Sequence, residues 1–116
     1  MNEAQVSYPE DVDPILEGSE FVKILFHTDK IVFSVASLLP GQEGALDPGH
    51  SNAHEIGYVL QGKIAVTLEE ETKEVKAGGA ILISEDVPHK VINVGEEKAI
   101  MTWSTAPSLG RDSIHE

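Results

Sequence analysis

The sequence predicts an all-β protein, a sandwich or barrel of short antiparallel strands, and three observations carry that reading. Short apolar runs recur at regular spacing between turn signals from Phe21 to Thr105. Side chains alternate with period 2, most clearly where Ile64, Val66 and Leu68 interleave with Lys63, Ala65, Thr67 and Glu69, as a strand with one buried face requires. No helical period competes with this pattern.

Taken in order, residues 1–20 are acidic, carry Pro9, Pro14 and Gly18, and read as an irregular or edge-covering arm. Eight strands are then expected, at Phe21 to His27, Ile31 to Leu39, His54 to Leu60, Lys63 to Glu69, Lys73 to Lys76, Ala80 to Ser84, His89 to Val94 and Lys98 to Thr105. Each boundary has turn chemistry: Thr28-Asp29-Lys30, Pro40-Gly41-Gln42, Gln61-Gly62, Glu69 to Thr72, Gly78-Gly79 and Gly95-Glu96. The barrel spans 21–105 and a tail with Pro107 and Gly110 covers 106–116. Phe33, Val35, Val59, Val66, Leu82 and Val91 are the expected core, with Met101 and Trp103 sharing one face of the last strand.

Composition narrows the function classes. A chain of 116 residues closes one hydrophobic core and is too short for two. Twenty acidic against eight basic residues give a net charge of −12, spread along the chain, which repels phosphate backbones and anionic lipid. No nucleic-acid or membrane role is therefore expected. Cysteine is absent, so disulfides, thiolate zinc sites and thiol nucleophiles are excluded, and a metal would have to use His, Asp, Glu, Asn or water. The first residues have neither a basic start nor an apolar run, and a soluble, cytoplasmic protein is expected.

Two segments place metal-binding residue types inside strands that otherwise need apolar ones. In the first, Gly44 is followed after five residues by His50, then by Asn52, by Glu55 after two more, and by Gly62 after another six, with Tyr58-Val59-Leu60 between. In the second, Gly78, Ser84, Asp86, His89 and Asn93 are regularly spaced. This pair resembles the two motifs of the cupin superfamily, in which the first supplies two histidines and a glutamate and the second a further histidine. The resemblance spans roughly Phe21 to Trp103 and implies a double-stranded β-helix, or jelly-roll barrel. Ser84 stands where the family has Pro and Asp86 where it has Gly.

The resemblance implies that His50, Glu55 and His89 are metal ligands. The family's second histidine is missing, because Asn52 holds its place and the spacer to Glu55 is one residue short. One deleted residue flips whatever precedes it on a strand unless a bulge absorbs the change. His54 is then the fourth candidate ligand if the backbone bulges at Ala53, and Asn52 or water takes that place if it does not. Such a set suits Zn, Mn, Fe, Ni or Cu and lacks the clustered oxygens of a calcium cage. His27 and His115 read as ordinary surface histidines, and Asn93 as a structural turn residue before Gly95.

Two functions of different class fit. One is a metal-dependent enzyme acting on a small organic molecule, of the dioxygenase, isomerase, decarboxylase or lyase kind that the resemblance implies. The other is a non-catalytic module that binds a small molecule at a degenerate site. Sheet edges need cover, so a homodimer is expected, with the N-terminal arm a candidate for crossing to the partner.

Overall fold

A computed structural model describes residues 3–108. Nine strands form: β1 (Ile15–Glu17), β2 (Glu20–His27), β3 (Val32–Leu38), β4 (His54–Gln61), β5 (Lys63–Thr67), β6 (Thr72–Lys76), β7 (Ala80–Ile83), β8 (Lys90–Asn93) and β9 (Ala99–Ala106). Among the described residues the helical content is a three-residue 3-10 turn at Pro9–Asp11, and no helix is long and apolar enough to cross a membrane. A six-stranded sheet in the order β1-β2-β3-β9-β4-β7 faces a three-stranded sheet in the order β6-β5-β8. This is the jelly-roll arrangement, although the two sheets do not close into a continuous barrel.

The eight expected strands form within two residues of the turn signals that delimit them. The ninth, β1, falls inside the N-terminal arm and pairs with β2, Ile15 opposite Val22 and Glu17 opposite Glu20. At three residues between Pro14 and Gly18 it is too short to show a period. Residues 109–116 of the tail, with His115, lie outside the described residues.

The core between the sheets is built from Leu38, Val59, Ile64, Val66 and Met101, all essentially inaccessible, with Ala36, Val75, Ile83 and Val91 around them. Val59, Val66 and Val91 are buried as expected. Phe33, Val35 and Leu82 are not: the first two are half-buried and Leu82 is 58% exposed. The reason lies in β3, whose sequence VFSVASL is largely apolar on both faces, so alternation alone does not say which face turns inward. Val32, Ser34, Ala36 and Leu38 turn in, and Phe33, Val35 and Ser37 turn out.

The outward face has a particular composition. Cross-strand pairing places Phe33, Val35 and Ser37 of β3 beside Ile100, Thr102 and Ser104 of β9, which adjoin Ile56 and Tyr58 of β4, with Leu82 opposite Ile56. In a chain of 28 charged residues, these four strands carry no Asp, Glu, Lys or Arg on that face.

Asn93 is a structural residue, as its sequence context indicates. It is buried at the end of β8, its amide donates to the carbonyls of Leu38 at 2.8 Å and Glu97 at 2.9 Å, and its side-chain oxygen accepts from Gly95 N–H at 2.8 Å. Those three bonds tie the β3 end to the β8–β9 turn, where unpaired groups would each be costly. Asp86, standing at the family's glycine position, takes φ +61°, a left-handed backbone that Asp tolerates better than most residues.

Candidate metal centre

The loop before β4 and the residue before β8 come together through backbone pairing. Asp47 and His89 exchange two N–H to C=O hydrogen bonds, each 2.8 Å, which sets their side chains on one side. Asp47 is also fixed by its own turn, Oδ1 accepting from Gly49 N–H at 2.9 Å. The loop is anchored from below by Asp86 N–H donating to the His50 carbonyl at 3.0 Å. Glu55 is carried in by β4, where it lies opposite Thr105 and Ile83.

Four side chains therefore converge. Asp47 Oδ2 lies 3.2 Å from His50 Nε2 and 3.7 Å from His89 Nε2; Glu55 Oε1 lies 3.9 Å from His50 Nε2 and 3.2 Å from His89 Nε2. Asp47, His50 and Glu55 alone form a group able to hold a metal ion. His89 adds a nitrogen with a defined tautomer, because its Nδ1 sits 2.9 Å from the Val87 carbonyl, which can only accept. The proton on Nδ1 leaves the Nε2 lone pair facing the cluster, the arrangement that usually supports a metal-bound imidazole.

His54 does not join them. β4 is regular at its start, His54 pairing with Ala106 and Glu55 with Thr105, so consecutive side chains point to opposite faces and His54 is exposed. Asn52 is exposed as well, at φ +61° in the turn that absorbs the short spacer. The fourth side chain of the cluster is Asp47, which sequence reasoning missed. An Asp before Pro48-Gly49 carries an ordinary turn signal, and only the pairing with His89, distant in sequence, turns it into the site.

The cluster fits a divalent ion. Glu55 Oε1 is buried yet makes no hydrogen bond, although it faces two ring nitrogens. Donors about 2.1 Å from one ion at tetrahedral angles lie about 3.4 Å apart; the four imidazole-to-carboxylate separations run from 3.2 to 3.9 Å, and Asp47, His50 and Glu55 each offer an atom within 4.8 Å of the others. Electrostatics agree. The Asp47 carboxylate holds His50 above its ordinary value against the opposing effect of burial. Burial also opposes the charge on His89, but Glu55, the Val87 carbonyl and Asp47 outweigh it and raise that ring too. Asp47 is lowered, burial being overcome by His50, the Gly49 N–H and His89. Two carboxylates drawing positive charge onto two rings form a field that an ion can take over.

The cluster opens into a cavity of about 450 Å³. Its apolar walls include Ile15, Val22, Ile24, Val32 and Val91, and Trp103 from β9 closes one side. Trp103 lies across Gly57 of β4, where an added Cβ would collide with the indole. Met101, which period 2 places on the same face of the last strand, belongs to the core, and Val91 lines the cavity. The Trp103 Nε1–H donates to Glu20 Oε2 at 2.9 Å, and Glu20, only 8% exposed, lines the same cavity. Gly44 makes room for that carboxyl, since a Cβ there would lie 2.8 Å from Glu20 Oε1.

Residues 34–105 match the family model described as a cupin domain. The chain belongs to the cupin family. Among curated proteins, this cupin is 31% identical over 80 residues to polyketide synthase CurC of Streptomyces cyaneus, an alignment covering 69% of this chain and 51% of that protein, so the chain spans about half of that relative's length. Among solved structures, a predicted oxalate decarboxylase from Thermotoga maritima superposes with TM-score 0.77 at 17% identity, over 89% of this chain and 99% of that one. An RmlC-like cupin from Shewanella frigidimarina superposes with TM-score 0.76 at 18% identity, over 95% and 96%. Identities this low carry the fold alone.

Proposed function

We propose that this cupin is a metal-dependent enzyme acting on a small organic molecule, with Asp47, His50, Glu55 and His89 holding the ion. The observation that carries the reading is the buried, unbonded Glu55 Oε1 facing two imidazole nitrogens, one with its tautomer set by the Val87 carbonyl. A divalent Zn, Mn, Fe, Ni or Cu ion would supply Lewis acidity or, for the redox-active metals, electron transfer. The chain's own residues do the rest. The β4 and β8 scaffold orients the donors, and the apolar walls and Trp103 exclude water from a molecule seated beside them.

Isothermal titration of chelator-treated protein with Zn2+ or Ni2+ tests this, with one ion per chain expected. Protein that takes up neither metal, nor Mn2+ or Fe2+, leaves the non-catalytic binding module in place of the enzyme.

The reading includes a second copy of the chain. In a protein of net charge −12, two copies meet with least repulsion through the charge-free outer face of β3, β9, β4 and β7, where Ile56, Tyr58 and Leu82 are exposed. Light scattering is expected to give twice 12.5 kDa, with Tyr58→Glu shifting the mass toward the monomer. A wild-type monomer at tens of micromolar would remove the dimer from the reading.

A further inference from the structure

We propose that Ser34 and Thr105 form a subsite for a hydroxyl or carbonyl oxygen, so that the cavity takes a short oxygenated molecule with one end on the ion and a second oxygen on this pair. The inference rests on the metal-site reading above and adds the chemistry of the ligand's far end. Among the described residues five buried side chains are polar: Glu20, Ser34, His89, Asn93 and Thr105. Glu20 accepts from Trp103, His89 is bonded to the Val87 carbonyl, and Asn93 has three partners. The hydroxyls of Ser34 and Thr105 have no partner among the described residues, although these residues are only 6% and 5% exposed. A hydroxyl taken from water without a partner is costly. Both residues line the cavity and neither oxygen is sealed off, so the opening left to each gives onto that space.

Strand register puts the pair within reach of a molecule bound at the cluster. Thr105 of β9 stands between Val32 of β3 and Glu55 of β4, and Ser34 of β3 stands between Ile24 of β2 and Trp103 of β9. Directly opposed side chains on paired strands have Cβ atoms about 5 Å apart, so Thr105 adjoins the Glu55 carboxylate and Ser34 is its diagonal neighbour, one step further along the wall. The rest of the inward face of these two strands is Val32, Ala36 and Leu38 on β3 and Ala99, Met101 and Trp103 on β9, while Ser37, Thr102 and Ser104 keep their hydroxyls on the outer face. A hydroxyl both donates and accepts, so the pair suits an alcohol or carbonyl oxygen. A hydrocarbon tail would leave both hydroxyls unbonded, and a buried polar group without its partner is what rejects an analogue.

Calorimetry on Zn2+-loaded protein with two isosteric hydroxamates tests the inference. 3-Hydroxypropanohydroxamic acid and butyrohydroxamic acid share a metal-binding head and end in a hydroxyl and a methyl group respectively. The hydroxyl tail is expected to bind at least about tenfold tighter, which is about 1.4 kcal/mol. In the double variant Ser34→Ala, Thr105→Val the preference should shrink to within about threefold, with Zn2+ affinity unchanged. Without metal that variant is expected to unfold at or above the wild-type temperature, because it loses two hydroxyls that bond nothing in the fold. Unfolding lower by more than about 4 °C would make the hydroxyls structural and overturn the subsite. Equal affinity for the two tails, the result if water alone meets the hydroxyls, overturns the subsite and leaves the metal site standing. A preference that survives in the double variant overturns the assignment to Ser34 and Thr105. Zn2+ uptake with neither hydroxamate bound means an ion closed to the cavity and also overturns the subsite, whereas no Zn2+ uptake removes the metal reading and this inference with it.

Discussion

Replacing His89 with alanine is expected to weaken Zn2+ binding by at least about 100-fold, and replacing His54 to leave it unchanged. His89 is 4% exposed, presents Nε2 to both carboxylates, and has its ring orientation fixed by the Val87 carbonyl, so no other side chain can take its place. Perturbing a partner one bond removed from a metal already costs 10- to 100-fold, and loss of a ligand costs more. A buried histidine can also be needed for folding, and Asp47→Asn separates the two effects. Asparagine retains the oxygen that accepts from Gly49 N–H, so the turn survives, but it replaces the negative oxygen facing His50 and His89 with an amide. Its affinity should fall about tenfold or more in a protein that still folds cooperatively, with metal-free stability lowered only by the loss of the Asp47 charge beside His50. If His54→Ala loses the ion while Asp47→Asn keeps it, a bulge at Ala53 has turned His54 inward and the assignment of Asp47 is wrong.

Glu20→Gln is expected to stabilise the metal-free protein at pH 8 and to change it little at pH 4.5. The Glu20 carboxyl stands near 7 in the folded chain against 4.5 as its ordinary value. Between those values the folded protein keeps a proton that the unfolded chain has released, so wild-type stability falls as pH rises through that window and levels off above it. Below 4.5 both states are protonated and the contribution is fully present. At 1.36 kcal/mol per unit the loss by pH 8 is about 3 kcal/mol, a large share of the stability of a domain this size. Glutamine carries no proton to lose and still offers an oxygen to the Trp103 N–H, so the loss disappears. Other groups that titrate in the window, His50 and His89 among them, contribute to both proteins and drop out of the difference to first order. Urea unfolding in chelator at pH 4.5, 6 and 8 measures it. A difference between the two proteins that does not grow with pH would mean that Glu20 is ionised throughout.

Much of the architecture was legible locally. Period-2 alternation and glycine, proline and asparagine punctuation located eight strands, and motif spacing selected His50, Glu55 and His89, the three that converge. Both signals work because they act over a few residues: a strand's faces alternate whatever lies beyond it, and a turn needs its own φ values. The tertiary structure decided what depends on partners distant in the chain. It chose the inward face of β3, because both faces are largely apolar and the opposing sheet determines which is covered. It left His54 outside, because pairing with β9 keeps β4 regular where a bulge would have turned the residue in. It brought Asp47 to the His50, Glu55 and His89 cluster through its bridge to His89, and Glu20 to the cavity through Trp103, 83 residues away. Strand periodicity and turn chemistry follow from covalent geometry, whereas a site is a meeting of side chains, and which ones meet is set by the register of sheets that only the folded chain possesses.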